Sequence, residues 1–123
     1  MRKKIVAFGL VLALGLVGNV NVASAKSINT DAYGKFTYSI TKSGKEISAM
    51  TKVEKKADKL VTKLTVQDNK IGKTLLNVSN ATKNSKKCIT GRIINDSPNT
   101  LAAFSAHEAR GKVTVVKYCS TTF

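Results

Sequence analysis

The chain is short of several residue types that define common functional sites. Its 123 residues include no Trp, one Pro, one His and two Cys. One histidine and two cysteines are too few for a zinc finger or another common tetrahedral zinc site unless carboxylates supply an unusual share of the ligands. An aromatic content of 6% also leaves little material for a surface on which sugars or single-stranded nucleic acid could stack. We therefore expect no metal, no cofactor and no specific recognition of nucleic acid.

Acidic residues are also scarce, and they are scattered singly. There are 7 Asp and Glu against 21 Lys and Arg, which gives a formal charge of +14. The sequence offers no paired carboxylates of the kind used in glycoside hydrolysis, no Gly-x-Ser-x-Gly nucleophile motif and no glycine-rich phosphate loop. We expect a protein that is not an enzyme. A hydrophobic content of 42% is too high for a disordered polycation, and the length limits the chain to one domain.

The first 25 residues have the order of a secretory signal peptide. A basic start at Met1–Lys4 precedes an apolar stretch over 5–18, and Ala23-Ser24-Ala25 supplies the small residues of a cleavage site. The stretch is shorter than the roughly 20 residues that a membrane-spanning helix needs. We predict a signal helix that is cleaved after Ala25 and a single secreted domain over 26–123. The segment is similar in style to the signal peptides of Gram-positive bacteria.

Cleavage would leave the exported domain strongly basic. The signal segment holds three basic and no acidic residues, so 18 basic and 7 acidic residues remain, a charge of +11 over 98 residues. Such a charge favours anionic partners but does not identify a fold.

The two cysteines, Cys88 and Cys119, both lie in the predicted secreted domain. An even number of cysteines in a small exported chain is typical of a disulfide bond. Neither cysteine belongs to a Cys-x-x-Cys motif, so a redox function is not indicated. We predict a Cys88–Cys119 disulfide, which would stabilise the fold by roughly 3–4 kcal/mol.

Apolar and polar residues alternate through most of the domain, which is typical of half-buried β-strands. Turn-forming residues stand at Ser43-Gly44, at 68–70 and at 95–99, and a polar loop is predicted over 81–87. The predicted strands cover residues 34–42, 45–53, 60–66, 71–78, 88–94 and 112–119. This spacing predicts an all-β fold, a small antiparallel β-sandwich of six to seven strands.

Two segments allow a second interpretation. The apolar residues within 52–64 also fit one face of a helix, although we favour two strands joined near 55–58 because Thr and Val dominate the second half. Residues 101–109 are rich in Ala and fit either a strand or a short helix capped by Asn99 or Thr100.

The densest polar cluster contains His107, Glu108 and Arg110, with Ser105 two residues before the histidine. A catalytic interpretation makes His107 a general base, Glu108 the residue that orients it and Ser105 a nucleophile. Adjacent residues of a strand point to opposite faces, so we expect His107 and Glu108 to diverge. We expect His107 to be solvated on a loop or at a strand edge.

Lysines form two groups in the sequence, and both are candidates for binding a polyanion. They are Lys52, Lys55, Lys56, Lys59 and Lys63, followed by Lys83, Lys86 and Lys87. The alternative is a solvated surface whose lysines protect strand edges from aggregation. Bidentate recognition of anions favours arginine, and only Arg92 and Arg110 remain after cleavage.

These observations predict a small secreted cationic protein that acts at anionic cell-envelope polymers or at a membrane surface. One hypothesis is a bacteriocin-like antimicrobial effector. The other is a binding or matrix module for wall polymer or polysaccharide that has no killing activity. The sequence shows no amphipathic or aromatic-rich segment of the kind that a lytic protein uses.

Overall fold

The computed structural model describes residues 20–94 and 100–123, and these contain six β-strands and no helix. The strands are β1 (Val20–Thr30), β2 (Gly34–Ser43), β3 (Glu46–Asp68), β4 (Thr74–Ile93), β5 (Leu101–Arg110) and β6 (Val115–Thr122). The all-β prediction is confirmed. The predicted signal helix over 5–18 and the turn at 95–99 lie outside the described residues. Within the described ranges no helix could span a membrane.

All six strands belong to one antiparallel sheet. Its order is β1-β2-β3-β5-β6, and β4 pairs with β3 as well. One edge of β3 is occupied by β4, and the other pairs with β2 along 46–53 and with β5 along 59–68. With β2 and β5 following each other along one edge, the sheet curls until β6 contacts β1 and β2. A single sheet nearly closed into a barrel therefore replaces the predicted sandwich of two sheets.

A corner in the β3–β4 hairpin produces this curl. The pairing register shifts between Lys52 and Ala57, so that β3 carries extra residues where β4 carries only Lys86. Extra residues of this kind bend a strand and increase its twist. Strand β4 bends at the same level, where Asn84 has a φ of 49°. The helix alternative over 52–64 is wrong, and so is the predicted break between two strands near 55–58, because β3 continues round the corner as a single strand.

One further segment contradicts the prediction from the sequence, and another decides between two predicted alternatives. Residues 81–87, predicted as a loop, belong to β4. Their polar side chains stay mostly in water because β4 lies at the rim of the sheet, while their backbone pairs with β3. Residues 101–109 form a strand and not a short helix.

Tyr33 connects the corner of β3 to the turn before β6 through backbone and side-chain hydrogen bonds. Its carbonyl oxygen accepts hydrogen bonds from the backbone N–H groups of Glu54 and Lys55 at 3.1 and 2.9 Å. Its hydroxyl donates to the carbonyl of Val113, in the turn before β6. The side chain is buried, and burial, aided by the negative charge of Asp58, raises its pKa.

The core fills the concave side of the curled sheet. Alternate residues of β2 and β3 supply most of it, as the sequence pattern predicted, and the fully buried large apolar side chains are Phe36, Ile40, Ile47, Val53, Leu60, Leu64 and Val66. Outside the core, the pairing of β3 with β4 leaves no room for a side chain at Gly91. A Cβ atom on Gly91 would lie 2.5 Å from the carbonyl oxygen of Ile47 and 2.8 Å from the Cβ of Ser48.

The predicted cleavage site lies inside β1. Ala25 pairs with Ser39 and Lys26 with Tyr38, and β1 runs antiparallel to β2 along most of its length. Cleavage after Ala25 would leave 26–30 paired and would remove the residues that pair with 39–43.

Candidate functional site

His107 lies on the inner face of β5 and is fully buried. Its Nε2 is 2.6 Å from the Oγ of Ser105, and its Nδ1 is 2.9 Å from the Oγ1 of Thr51. The expectation of a solvated histidine is therefore wrong. Ser105, His107 and Ala109 are alternate residues of β5, and all three face the core.

The hydrogen-bonded chain continues from Thr51 across the interior. The Oγ1 atoms of Thr51 and Thr62 are 2.6 Å apart, and the Thr62 hydroxyl donates to the carbonyl of Cys88 at 3.1 Å. One assignment of protons satisfies every hydroxyl: Ser105 donates to Nε2 of His107, Nδ1–H donates to Thr51, and Thr51 donates to Thr62. We call Thr51, Thr62, Ser105 and His107 the buried polar chain.

Burial lowers the pKa of His107 from 6.5 to about 4, because the interior cannot solvate an imidazolium. A hydrogen bond with the backbone of Met50 acts in the opposite direction and offsets only part of this effect. His107 is thus neutral near pH 7, as the proton assignment requires.

The buried polar chain resembles a nucleophile and base only in the distance between Ser105 and His107. Glu108 does not orient the ring. It lies on the outer face, where Arg110 Nε donates to its Oε2 at 2.7 Å. The side chains of His107 and Glu108 diverge as predicted, and Ser105 is only 5% exposed. A substrate would have no access to this pair without a rearrangement of the core.

Cys88 and Cys119 are free, buried thiols. The predicted disulfide is wrong. In the sheet, β3 and β5 lie between the strands of the two cysteines. Their sulfur atoms also face different carbonyl oxygens, that of Asn80 at 3.4 Å from Cys88 and that of Tyr38 at 3.9 Å from Cys119. Each cysteine acts as a small core side chain.

The outer face of the β3–β4 hairpin brings the two lysine groups of the sequence together. Lys52 pairs with Lys87, and Lys59 pairs with Lys83. On its other side Lys59 pairs with Arg110 of β5. We call these five residues, together with Lys63 further along β3, the basic face. Lys55, Lys56 and Lys86 lie beside it at the corner and are exposed.

This arrangement concentrates positive charge on one face of the sheet. Directly opposite side chains of an antiparallel pair have Cβ atoms roughly 4.5–5.5 Å apart, and like charges at that spacing destabilise the sheet. At one end of this face Glu108 forms an ion pair with Arg110, 2.7 Å between Oε2 and Nε. The nearby carboxylate of Glu54 is used in accepting the backbone N–H of Lys35 at 2.7 Å. A bound polyanion would relieve this repulsion.

Two residues beside the basic face, Phe104 and Tyr118, were not among the site residues predicted from the sequence. They are 14 positions apart in the chain, but both lie on the outer face of adjacent strands and are exposed. The alternation of residues in β5 and β6 could have predicted their exposure, because Phe104 and Tyr118 each stand next to a core residue in the sequence and so point to the opposite face.

One shallow cavity of about 350 Å³ lies in the bend of β4, lined by Glu46, Ser48, Ser79, Asn80, Ile89, Thr90, Gly91 and Arg92. Asn80 spans the bend, donating from Nδ2 to the carbonyl of Ile89 at 2.9 Å. No group of His, Cys, Asp and Glu suited to a metal ion occurs in the described part of the chain.

Comparison with known proteins returns no matching family model, no matching curated protein and no matching solved structure.

Proposed function

We propose that this chain is an exported, non-enzymatic protein that binds anionic cell surfaces through its basic face. One observation carries the proposal. The register of β3 with β4 places Lys52 opposite Lys87 and Lys59 opposite Lys83. A surface that only has to be solvated would be more stable with opposite charges at these paired positions. The enclosure of Ser105 and His107 in the core supports the absence of catalysis. The N-terminal segment supports export.

Charge substitutions on paired lysines test the binding. We expect Lys59→Gln with Lys83→Gln to lower the salt concentration at which the protein elutes from immobilised heparin or lipoteichoic acid. Fewer phosphate or sulfate contacts also reduce the slope of log affinity against log salt. The matched control is Lys70→Gln with Lys73→Gln, which removes the same charge from the turn between β3 and β4.

If both double variants elute at the same salt concentration, binding follows net charge and the basic face is not a site. Binding that survives about 0.5 M salt would contradict an electrostatic mechanism altogether, because screening at that strength leaves little attraction between exposed charges.

Export is tested by recovering the protein from the culture medium of a Gram-positive host. The expected intact mass is that of a chain beginning at Lys26. Retention of the whole chain inside the cells would contradict both export and the cleavage site.

Antimicrobial action is the second candidate, and the exposed aromatic residues beside the basic face favour it over a matrix function. Growth inhibition over a broad panel of bacteria distinguishes the two. Salt-reversible polyanion binding without any inhibition would leave the matrix function.

A further inference from the structure

Two aromatic side chains are exposed although most others are buried. Phe104 is 45% and Tyr118 72% exposed, whereas Tyr33, Phe36 and Tyr38 are at most 6% exposed. Of the aromatic residues that the structure describes, these two alone are exposed. Apolar surface left in water is unfavourable, and it marks an interaction site where it is grouped.

The register groups them. Tyr118 pairs with Ala106 and Ser120 pairs with Phe104, so Phe104 and Tyr118 are diagonal neighbours on the outer face of β5 and β6. Val116, which pairs with Glu108, lies on the same face and is 39% exposed. We call Phe104, Val116 and Tyr118 the apolar patch.

The basic face borders this patch. Lys63 pairs with Ala106, which in turn pairs with Tyr118, so the lysine and the tyrosine lie in one row across three strands. Further along β5, Arg110 pairs with Lys59, and Lys59 pairs with Lys83. Positively charged side chains therefore lie in the same row as the exposed tyrosine and also further along β5. The one carboxylate among them, Glu108, is bonded to Arg110.

A surface with this composition matches an anionic phospholipid bilayer. Headgroup phosphates attract exposed Lys and Arg, and tyrosine and other aromatic rings enter the boundary between headgroups and acyl chains. A soluble polyanion would satisfy the lysines but would leave the apolar patch in water. We propose that the outer face of β5 and β6 docks on anionic phospholipid, with Phe104 and Tyr118 entering the interface and Lys59, Lys63, Lys83 and Arg110 contacting lipid phosphates. This inference rests on the proposed function and names the partner of the basic face.

The absence of tryptophan from the chain permits a direct test. Phe104→Trp introduces the only indole, at the proposed point of entry. Ile89→Trp is the matched control, because Ile89 is also 45% exposed but lies on the other arm of β4. Both variants share the same N-terminal segment, so any attraction of that segment to lipid is common to both.

With vesicles of phosphatidylglycerol and phosphatidylcholine we expect a blue-shifted emission from Trp at 104 and quenching by lipids brominated near the headgroup. We expect neither change at 89, nor with vesicles of phosphatidylcholine alone. Vesicle binding without a change at 104 would overturn docking by the apolar patch and would leave the proposed function standing. If the protein binds neither vesicles nor heparin, both the docking by the apolar patch and the proposed function are overturned.

Affinity gives a second readout. Phe104→Thr with Tyr118→Thr should lower the affinity for anionic vesicles, measured by co-sedimentation, roughly tenfold or more. The salt concentration of elution from heparin should stay unchanged. Ile89→Thr with Ile93→Thr removes a similarly exposed pair and should leave both unchanged. Equal losses in the two double variants would show that general hydrophobicity, and not this patch, determines lipid binding. Far-ultraviolet circular dichroism checks that each variant keeps its strands.

Discussion

Thr51 and His107 are 56 positions apart in the sequence and are joined by one buried hydrogen bond, 2.9 Å between Oγ1 and Nδ1. The bond connects the two arms of the curled sheet, because Thr51 lies before the corner of β3 and His107 on the strand that pairs beyond it. The interior of this protein is therefore held together by polar contacts as well as by apolar packing.

Replacement of Thr51 by Val should destabilise the fold by about 1–3 kcal/mol, because it removes the Oγ1 that contacts Nδ1 of His107 and one of the two hydrogen bonds of the Thr62 hydroxyl. Denaturant unfolding at pH 7 measures the change. Thr65→Val is the control, since the Thr65 hydroxyl makes only a long contact of 3.5 Å with Asn77 at the surface. Equal effects of the two substitutions would contradict a structural role for the buried polar chain.

Acid should weaken the fold through His107. The unfolded ring takes up a proton below about pH 6.5, whereas the folded ring has a pKa of about 4. Between these values the unfolded chain binds more protons, so stability is complete above pH 6.5 and falls as the pH decreases toward 4. From pH 7 to pH 5 we expect a loss of about 2 kcal/mol.

The variant His107→Gln should remove most of that pH dependence while keeping a polar side chain in place. Because His107 is the only histidine, its imidazole signals in a proton NMR titration report the folded pKa directly. A titration midpoint near 6.5 in the folded protein would show that the ring is solvated.

Gly91→Ala should destabilise the protein by about 1–3 kcal/mol, the range expected when a methyl group is forced into space that is already filled. The added methyl group would meet the backbone of Ile47 at 2.5 Å, and a carbonyl oxygen held in a sheet cannot move aside easily. The neighbouring Arg92→Ala, at an exposed position, serves as the control and should have little effect. A fully stable Gly91→Ala variant would mean that β3 and β4 lie further apart at this point.

Both cysteines should behave as thiols. Unfolding in denaturant without any reductant should allow iodoacetamide to label two sites, as read by intact mass. In the folded protein labelling should be slow, since Cys88 is 1% and Cys119 5% exposed. Labelling that requires prior reduction would contradict the structure.

Local sequence pattern predicted the strands well where one face is buried. In the first half of β3 the inward residues Ile47, Ala49, Thr51 and Val53 alternate with outward ones, as predicted for 45–53, although the strand itself continues to Asp68. The pattern failed over 81–87, where the strand lies at the rim and neither face has to be apolar. There the pairing partner, and not the side chains, makes the segment a strand.

The sequence by itself determined the all-β class, the inward and outward sides of strands that have one clearly apolar face, and the excess of positive charge, because these depend on local alternation and composition. Only the tertiary structure decided that β3 turns a corner and pairs with β2 and β5 in succession. That corner curls one sheet around His107, keeps the strands of Cys88 and Cys119 apart, and sets Lys59 against both Lys83 and Arg110. Contacts of this kind join residues far apart in the chain, and long-range register is fixed by the packing of the whole sheet, which no local pattern contains.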